Sequence, residues 1–194
     1  MQLTFGETLC EVCEPFSDYQ GWLSSSWLQQ QDLWLDVLPA AVDLPRRYCF
    51  RYLKVEVKAV SEKFRLRLNQ IQVNAVTSAT QTCPPAVTTD PQLQAIDRVA
   101  VLTLKNCMQE VFEDGPKRDR RLWLGDLRLQ ALVNDVTFAH HDLVRRCLYL
   151  FAGHTREDGM VSANVFVQPD VLADDTFLFD YSLFFACLLY TSPS

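Results

Sequence analysis

With 194 residues, 48% of them hydrophobic and 11% aromatic, the chain has a globular composition and room for one large domain or two small ones. Its formal net charge of −6 argues against a general binder of nucleic acid or anionic membranes, because phosphate binding needs a basic surplus. No apolar run is long enough to span a bilayer, and residues 1–6 lack the basic and apolar regions of a signal peptide.

Seven cysteines stand at 10, 13, 49, 83, 107, 147 and 187, an odd and scattered set that fits neither a disulfide framework nor a zinc site. Reduced, mostly buried thiols are expected. Cys10-Glu11-Val12-Cys13 is a lone CxxC with no second pair and no nearby His, so it is read as neither metal site nor redox motif.

Up to about residue 86 apolar residues alternate with polar ones. Leu33-Trp34-Leu35-Asp36-Val37-Leu38 reads as a strand, as do Leu53, Val55 and Val57 against Lys54, Glu56 and Lys58. Phe64, Leu66 and Leu68 against Arg65, Arg67 and Asn69, followed by Ile71 and Val73, give a third run, with Arg65 and Arg67 as its solvated face. Pro39, Pro45 and Ser61-Glu62 sit where turns belong, so this half reads as part of an antiparallel β-sandwich.

Residues 82–89 form a polar, Pro-containing linker, and Asp90-Pro91 then supplies a helix N-cap with Pro at the first helical position. From here the apolar period becomes 3.6. Leu93, Ile96, Ala100, Leu104, Cys107, Met108 and Val111 mark a first helix, and a second runs from Asp126 through Leu129 and Leu132 to Asn134. A third, 142–152, turns Leu143, Cys147, Leu148 and Phe151 inward and ends at Gly153 in a C-cap position. Consecutive helices on short loops suit an array of helical hairpins. In His140-His141-Asp142 adjacent side chains point apart and Asp142 stands where an N-cap belongs, so a surface helix start is favoured over a metal or acid–base pair. His154, Asp174-Asp175 and Asp180 read as loop positions; Asp180-Tyr181 precedes a further amphipathic helix, and capping of that helix is favoured over the alternative that the pair reaches the mouth of a helical barrel. Residues 187–194 look like one reading frame through a transposon-end sequencing adapter, of the kind seen at broken ends of metagenomic contigs, and are set aside from the fold.

The densest chemistry lies at 114–126, Asp-Gly-Pro-Lys-Arg-Asp-Arg-Arg-Leu-Trp-Leu-Gly-Asp, where three carboxylates, four cations and a Trp fall within thirteen residues. Gly115-Pro116 breaks the preceding helix and Gly125-Asp126 can start the next, which places the charges on a loop held at both ends. By itself such a run is best read as a solvated charge cluster with helix-cap ion pairs. The segment, however, resembles the signature of the bacterial α-L-rhamnosidases, glycoside hydrolase family 78: Asp-x-Pro-x-Arg-(Asp)-Glu…Trp-x-Gly-Asp at the mouth of an (α/α)6 barrel. Residues 19–27 and 46–56 resemble the β-sandwich that precedes the barrel in that family, and 103–112 resemble the barrel's first long helix.

That resemblance implies a multidomain β + α fold: a partial antiparallel β-sandwich over 1–86, then the first helical hairpins of an (α/α)6 barrel over 87–186. It implies inverting hydrolysis of terminal α-L-rhamnosides in plant or bacterial glycans, with a rhamnose-containing glycoside as ligand and neither cofactor nor metal. Such chemistry needs a protonated carboxyl at the leaving oxygen and a second carboxylate roughly 6.5 to 9.5 Å away to activate water. Counting back from Trp123, the family's general acid falls on Asp119; counting forward in a longer variant of the motif, it falls on Arg120. The first alignment keeps the spacing from Asp114 to Asp126 and supplies a carboxyl group, so Asp119 is taken as the donor. Asp114, Arg118 and Asp126 would then bond sugar hydroxyls, Trp123 would pack on the apolar sugar face, and the base would come from a barrel helix beyond Ala186. A non-catalytic carbohydrate-binding relative is the alternative if Arg120 fills the acid's place. A nucleic-acid binder built on the Arg cluster conflicts with the acidic balance and has no recognition motif behind it.

Overall fold

The structure is a computed structural model that describes residues 1–22, 29–63 and 65–192. The readings made at Phe64, at 23–27 and at 193–194 lie outside the described residues. The chain is a mixed β and α protein with two three-stranded antiparallel sheets and five α-helices among those residues. None of these helices is long and apolar enough to cross a membrane. It divides into two compact units, Met1–Asn74 with Pro116–Asp119, and Ala75–Gly115 with Arg120–Ser194.

In the first unit, strand β1 (Gln2–Gly6) is the centre of a sheet ordered β2-β1-β3, with β2 at Gln29–Asp32 and β3 at Tyr52–Glu56. Leu3 and Phe5 point to one face and are buried, as the period of two requires. Phe5 stacks on Tyr48 at 4.0 Å and meets Phe50 edge-on at 5.1 Å, giving the sheet an aromatic cover. Helix α1 (Leu9–Cys13) folds back with Val12 buried, and Gly6 makes room for it: a Cβ there would lie 2.9 Å from Val12 Cγ1.

Several expectations for this unit need correction. Among the described residues, the one expected strand that forms is that around Leu53. Residues 33–38 are irregular with Trp34 85% exposed, and Leu68, Ile71 and Val73 are likewise exposed in irregular chain. Alternation makes a strand only where a neighbour completes the ladder, and no strand among the described residues pairs with these segments. A helix before residue 80, α1, also breaks the expected division into strands first and helices after.

In the second unit, α2 (Pro91–Cys107) starts as its sequence demands: the Asp90 carboxylate accepts from the backbone N–H of Gln92 at 2.8 Å and Leu93 at 3.3 Å, with Pro91 behind it. The helix stops at Cys107, short of Val111. Its last carbonyls are taken by other partners, Lys105 O by the Thr77 hydroxyl at 2.8 Å and Met108 O by Ser78 N–H at 2.8 Å, so the chain turns while Met108, Val111 and Phe112 become fully buried. Leu93, Ile96 and Ala100 are exposed, against expectation; α2 buries only its C-terminal end.

Helix α3 (Leu124–Val136) buries Leu124, Leu127, Ala131 and Asn134, so Leu129 and Leu132, expected inward, lie on its open face. Helix α4 (His141–Gly153) buries Leu143, Val144, Cys147, Leu148 and Phe151, the face its spacing predicts. Its N-cap is His140, not Asp142: His140 Nδ1 accepts from Leu143 N–H at 3.3 Å, while Asp142 pairs with Arg145 in the first turn. Helix α5 (Phe179–Thr191) begins before Asp180 and continues through 187–191, with Leu188 buried in the core. A small sheet β4-β5-β6 (Leu122–Trp123, Asn164–Phe166, Leu172–Ala173) lies among these helices, where only helices were expected.

The cysteines are unpaired, but only Cys147 is buried, so the expectation of mostly buried thiols is corrected; Cys10, Cys13 and Cys187 are exposed. Burial pushes the Cys147 thiol up to about 12.

The turn from α3 to α4 holds Ala139 at φ 50, a conformation that crowds an L side chain, because Asn134 O accepts its N–H at 2.7 Å. Ala139→Gly is expected to stabilise the chain by roughly 0.5–1 kcal/mol, the strain removed less the added chain entropy. Urea unfolding would read this as a higher midpoint at unchanged slope. A lower midpoint would show that the turn carries no such strain.

Candidate active site

The charged loop is closed at its base by one antiparallel bridge, Asp114 to Arg121, with Asp114 N–H donating to Arg121 O at 2.9 Å. Just inside it the chain turns out at Gly115 (φ 53) and back at Arg120 (φ 54), both left-handed. Glycine adopts this freely, whereas for Arg120 it costs on the order of 1–2 kcal/mol, a strain that rigid neighbours must hold in place. The four residues between, Pro116–Asp119, belong with the first unit. There the Lys117 ammonium pairs with Glu11, and its carbonyl accepts from the Gln29 amide at 2.7 Å. Gln29, almost fully buried, also accepts Cys49 N–H at 2.9 Å. Burial holds the Lys117 amine below its ordinary range, against the opposing charge of Glu7 and Cys10.

Beyond the loop, Leu122 and Trp123 form β4 and pair with Val165 and Asn164 of β5. Trp123 is also the N-cap position of α3, and the Leu124 N–H bonds Ala163 O at 3.0 Å, so strand and helix meet without a slack residue. The sequence reading placed this stretch in a loop. The signal it passed over is the alternation Leu122, Trp123, Leu124, in which both leucines are fully buried and the Trp is not. Asp126 lies in the first turn of α3, where the exposed N–H groups favour negative charge.

Trp123, Asp126 and Asp114 all belong to the second unit, as does Tyr181 of α5. The rings of Trp123 and Tyr181 lie edge to face, centroids 6.4 Å apart and planes at 85°. Gly125 lies beneath the tyrosine: a Cβ at this position would fall 2.5 Å from Tyr181 Cζ and 2.6 Å from its hydroxyl oxygen. Partial burial raises the Tyr181 hydroxyl above its ordinary range, and the negative charges of Asp126, Asp180 and Asp114 push in the same direction. Arg118 and Asp119, the other two residues expected in the site, are on the segment that groups with the first unit.

A second anchor was not foreseen. Arg121 reaches Asp174 at 3.5 Å and lies 4.2 Å over the Phe166 ring. Asp174, expected only as an acidic loop position, accepts from Asn164 Nδ2 at 2.7 Å, Thr176 Oγ1 at 3.2 Å and Asp175 N–H at 2.9 Å. These bonds, the one from Asn164 foremost, hold its carboxyl below the usual carboxylate range. Asp180 makes no side-chain cap bond, because α5 starts one residue earlier, at Phe179.

Comparison with known proteins places these features in one family. Residues 1–75 match the glycosyl hydrolase family 78 alpha-rhamnosidase N-terminal domain, and residues 86–181 match the bacterial alpha-L-rhamnosidase 6 hairpin glycosidase domain. The chain belongs to glycoside hydrolase family 78. Among solved structures it is similar to a rhamnosidase from Klebsiella oxytoca with rhamnose bound, at 87% identity and a TM-score of 0.94, over 98% of this chain and 37% of that one. It therefore spans well under half the length of that relative. No curated protein matches it.

Within the family 78 signature, Gly125 is where the backbone must lie bare for the Tyr181 ring. Gly125→Ala is expected to cost about 1–3 kcal/mol of stability through overpacking. The same change in a Tyr181→Ala background is expected to be neutral or mildly stabilising, since Ala is the better helix former. Equal costs in both backgrounds would place the constraint elsewhere.

Proposed function

We propose that this chain is a fragment of an inverting α-L-rhamnosidase that covers the end of a β-sandwich, over 1–86, and the first hairpins of an (α/α)6 barrel, over 87–186. What carries the proposal is the signature Asp114…Trp123-Leu124-Gly125-Asp126 seated at a rigid strand-to-helix junction, in a chain 87% identical to a rhamnosidase with rhamnose bound. The substrate on this reading is a glycoside or oligosaccharide ending in α-L-rhamnose.

In the reaction Asp119 donates its proton to the glycosidic oxygen as the bond to the anomeric carbon breaks. A carboxylate from a later barrel helix takes a proton from water, which attacks the same carbon from the opposite face and inverts it. Asp114 and Asp126 accept hydrogen bonds from sugar hydroxyls, and the Arg118 guanidinium donates to them. The indole of Trp123 packs on the apolar face of the ring. Its N–H is buried and has no hydrogen-bond partner among the described residues. No cofactor or metal enters this scheme.

Kinetics on the full-length enzyme with two leaving groups test it. Asp119→Asn keeps size and polarity but removes the proton, so turnover of a natural rhamnoside is expected to fall roughly 10²- to 10⁴-fold. An activated aryl rhamnoside should lose far less, since its leaving group hardly needs protonation. Arg120→Gln should give a smaller loss that is equal on both substrates. Equal losses for Asp119→Asn would make it a sugar-binding residue, and an intact enzyme without rhamnosidase activity would put the carbohydrate-binding alternative ahead.

A further inference from the structure

Tyr181 stands outside the signature, far along the chain, yet it is built into the same place. Its ring covers Gly125, at a separation that leaves no room for a Cβ, and braces the edge of Trp123. Phe184 on the next turn of α5 lies against it at 6.0 Å. Packing alone would be served as well by phenylalanine. The hydroxyl is what needs a reason.

That hydroxyl lies over the first turn of α3, in the field of Asp126, Asp180 and Asp114. A phenol beside carboxylates ordinarily donates to one of them, but among the described residues Tyr181 Oη has no hydrogen-bond partner. The groups around it are complementary to a sugar: carboxylates that only accept and a phenol that both donates and accepts. Vicinal ring hydroxyls, each donor and acceptor, are the ligand such a set fits, with the two aromatic rings meeting the apolar C–H face.

We infer that Tyr181 is a further sugar-binding residue of this site, its hydroxyl bonding a ring hydroxyl of the rhamnosyl unit held by Asp114 and Asp126. The inference rests on the rhamnosidase reading and adds a specificity-determining residue from α5 to it. It also assigns Gly125 a function: to seat the tyrosine at the height of the sugar.

The test compares Tyr181→Phe with wild type in the full-length enzyme, measuring KM and kcat for an aryl α-L-rhamnoside, inhibition by free rhamnose, and Tm. Losing one neutral hydrogen bond to substrate should raise KM and the rhamnose inhibition constant roughly three- to tenfold. Turnover and Tm should change little, because the ring still covers Gly125 and braces Trp123. Tyr181→Leu, which removes the ring as well, should weaken rhamnose further and lower Tm. Wild-type values of KM and rhamnose inhibition in Tyr181→Phe, in an enzyme that is otherwise an active rhamnosidase, would overturn this inference and leave the rhamnosidase reading standing. A wild-type enzyme that neither cleaves rhamnosides nor binds rhamnose would overturn both.

Discussion

The bridge between Asp114 and Arg121 is the constraint on which the candidate site depends. It is one backbone hydrogen bond at the base of a loop that turns out and back through two left-handed residues, and by itself it would be weak. It is held because Arg121 is fixed at its far end, in an ion pair with Asp174 and over Phe166, and Asp174 is in turn saturated by Asn164, Thr176 and a backbone N–H. The charge cluster of 114–126 is thus divided by role. Arg121 builds the base, and Lys117 ties the segment Pro116–Asp119 into the first unit through Glu11 and Gln29.

From that base the chain runs directly into β4 and α3. Two fully buried leucines flank Trp123, so its backbone is locked by strand pairing on one side and by helix start on the other. A side chain meant to bear on a sugar face gains from this, since a platform that need not be ordered on binding loses less entropy. Tyr181 contributes the same economy from α5, its ring already seated on Gly125 before any ligand arrives.

Much of the helical half was legible in the sequence, for identifiable reasons. Asp90-Pro91 is a cap whose chemistry is local, and it caps; the apolar stripe of α4 is a single amphipathic face, and that face is buried. Alignment to a family signature picks out Asp114, Trp123 and Asp126, all of which fall in the second unit. What local reasoning could not supply was pairing at a distance. Strand β2 is Gln-Gln-Gln-Asp, with no apolar alternation at all, and forms because Leu3 and Phe5 of β1 need a neighbour; the regular alternation after residue 64 has no pairing partner among the described residues and forms no strand there. The same holds for the site: Arg121 with Asp174, and Trp123 with Tyr181, are contacts between segments far apart in sequence, and neither partner advertises the other. Helix faces failed where burial was decided by neighbours, as in α2, whose regular stripe is buried only at Leu104 and beyond.

Hydrogen exchange of the full-length enzyme with and without rhamnose tests most directly whether this junction is the sugar site. The account predicts slower exchange on rhamnose addition in the backbone of 114–126 and in the first turns of α5 around Tyr181, with β1, β2 and β3 unchanged. Protection confined to β1, β2 and β3, or absent from 114–126 while rhamnose is demonstrably bound, would contradict it.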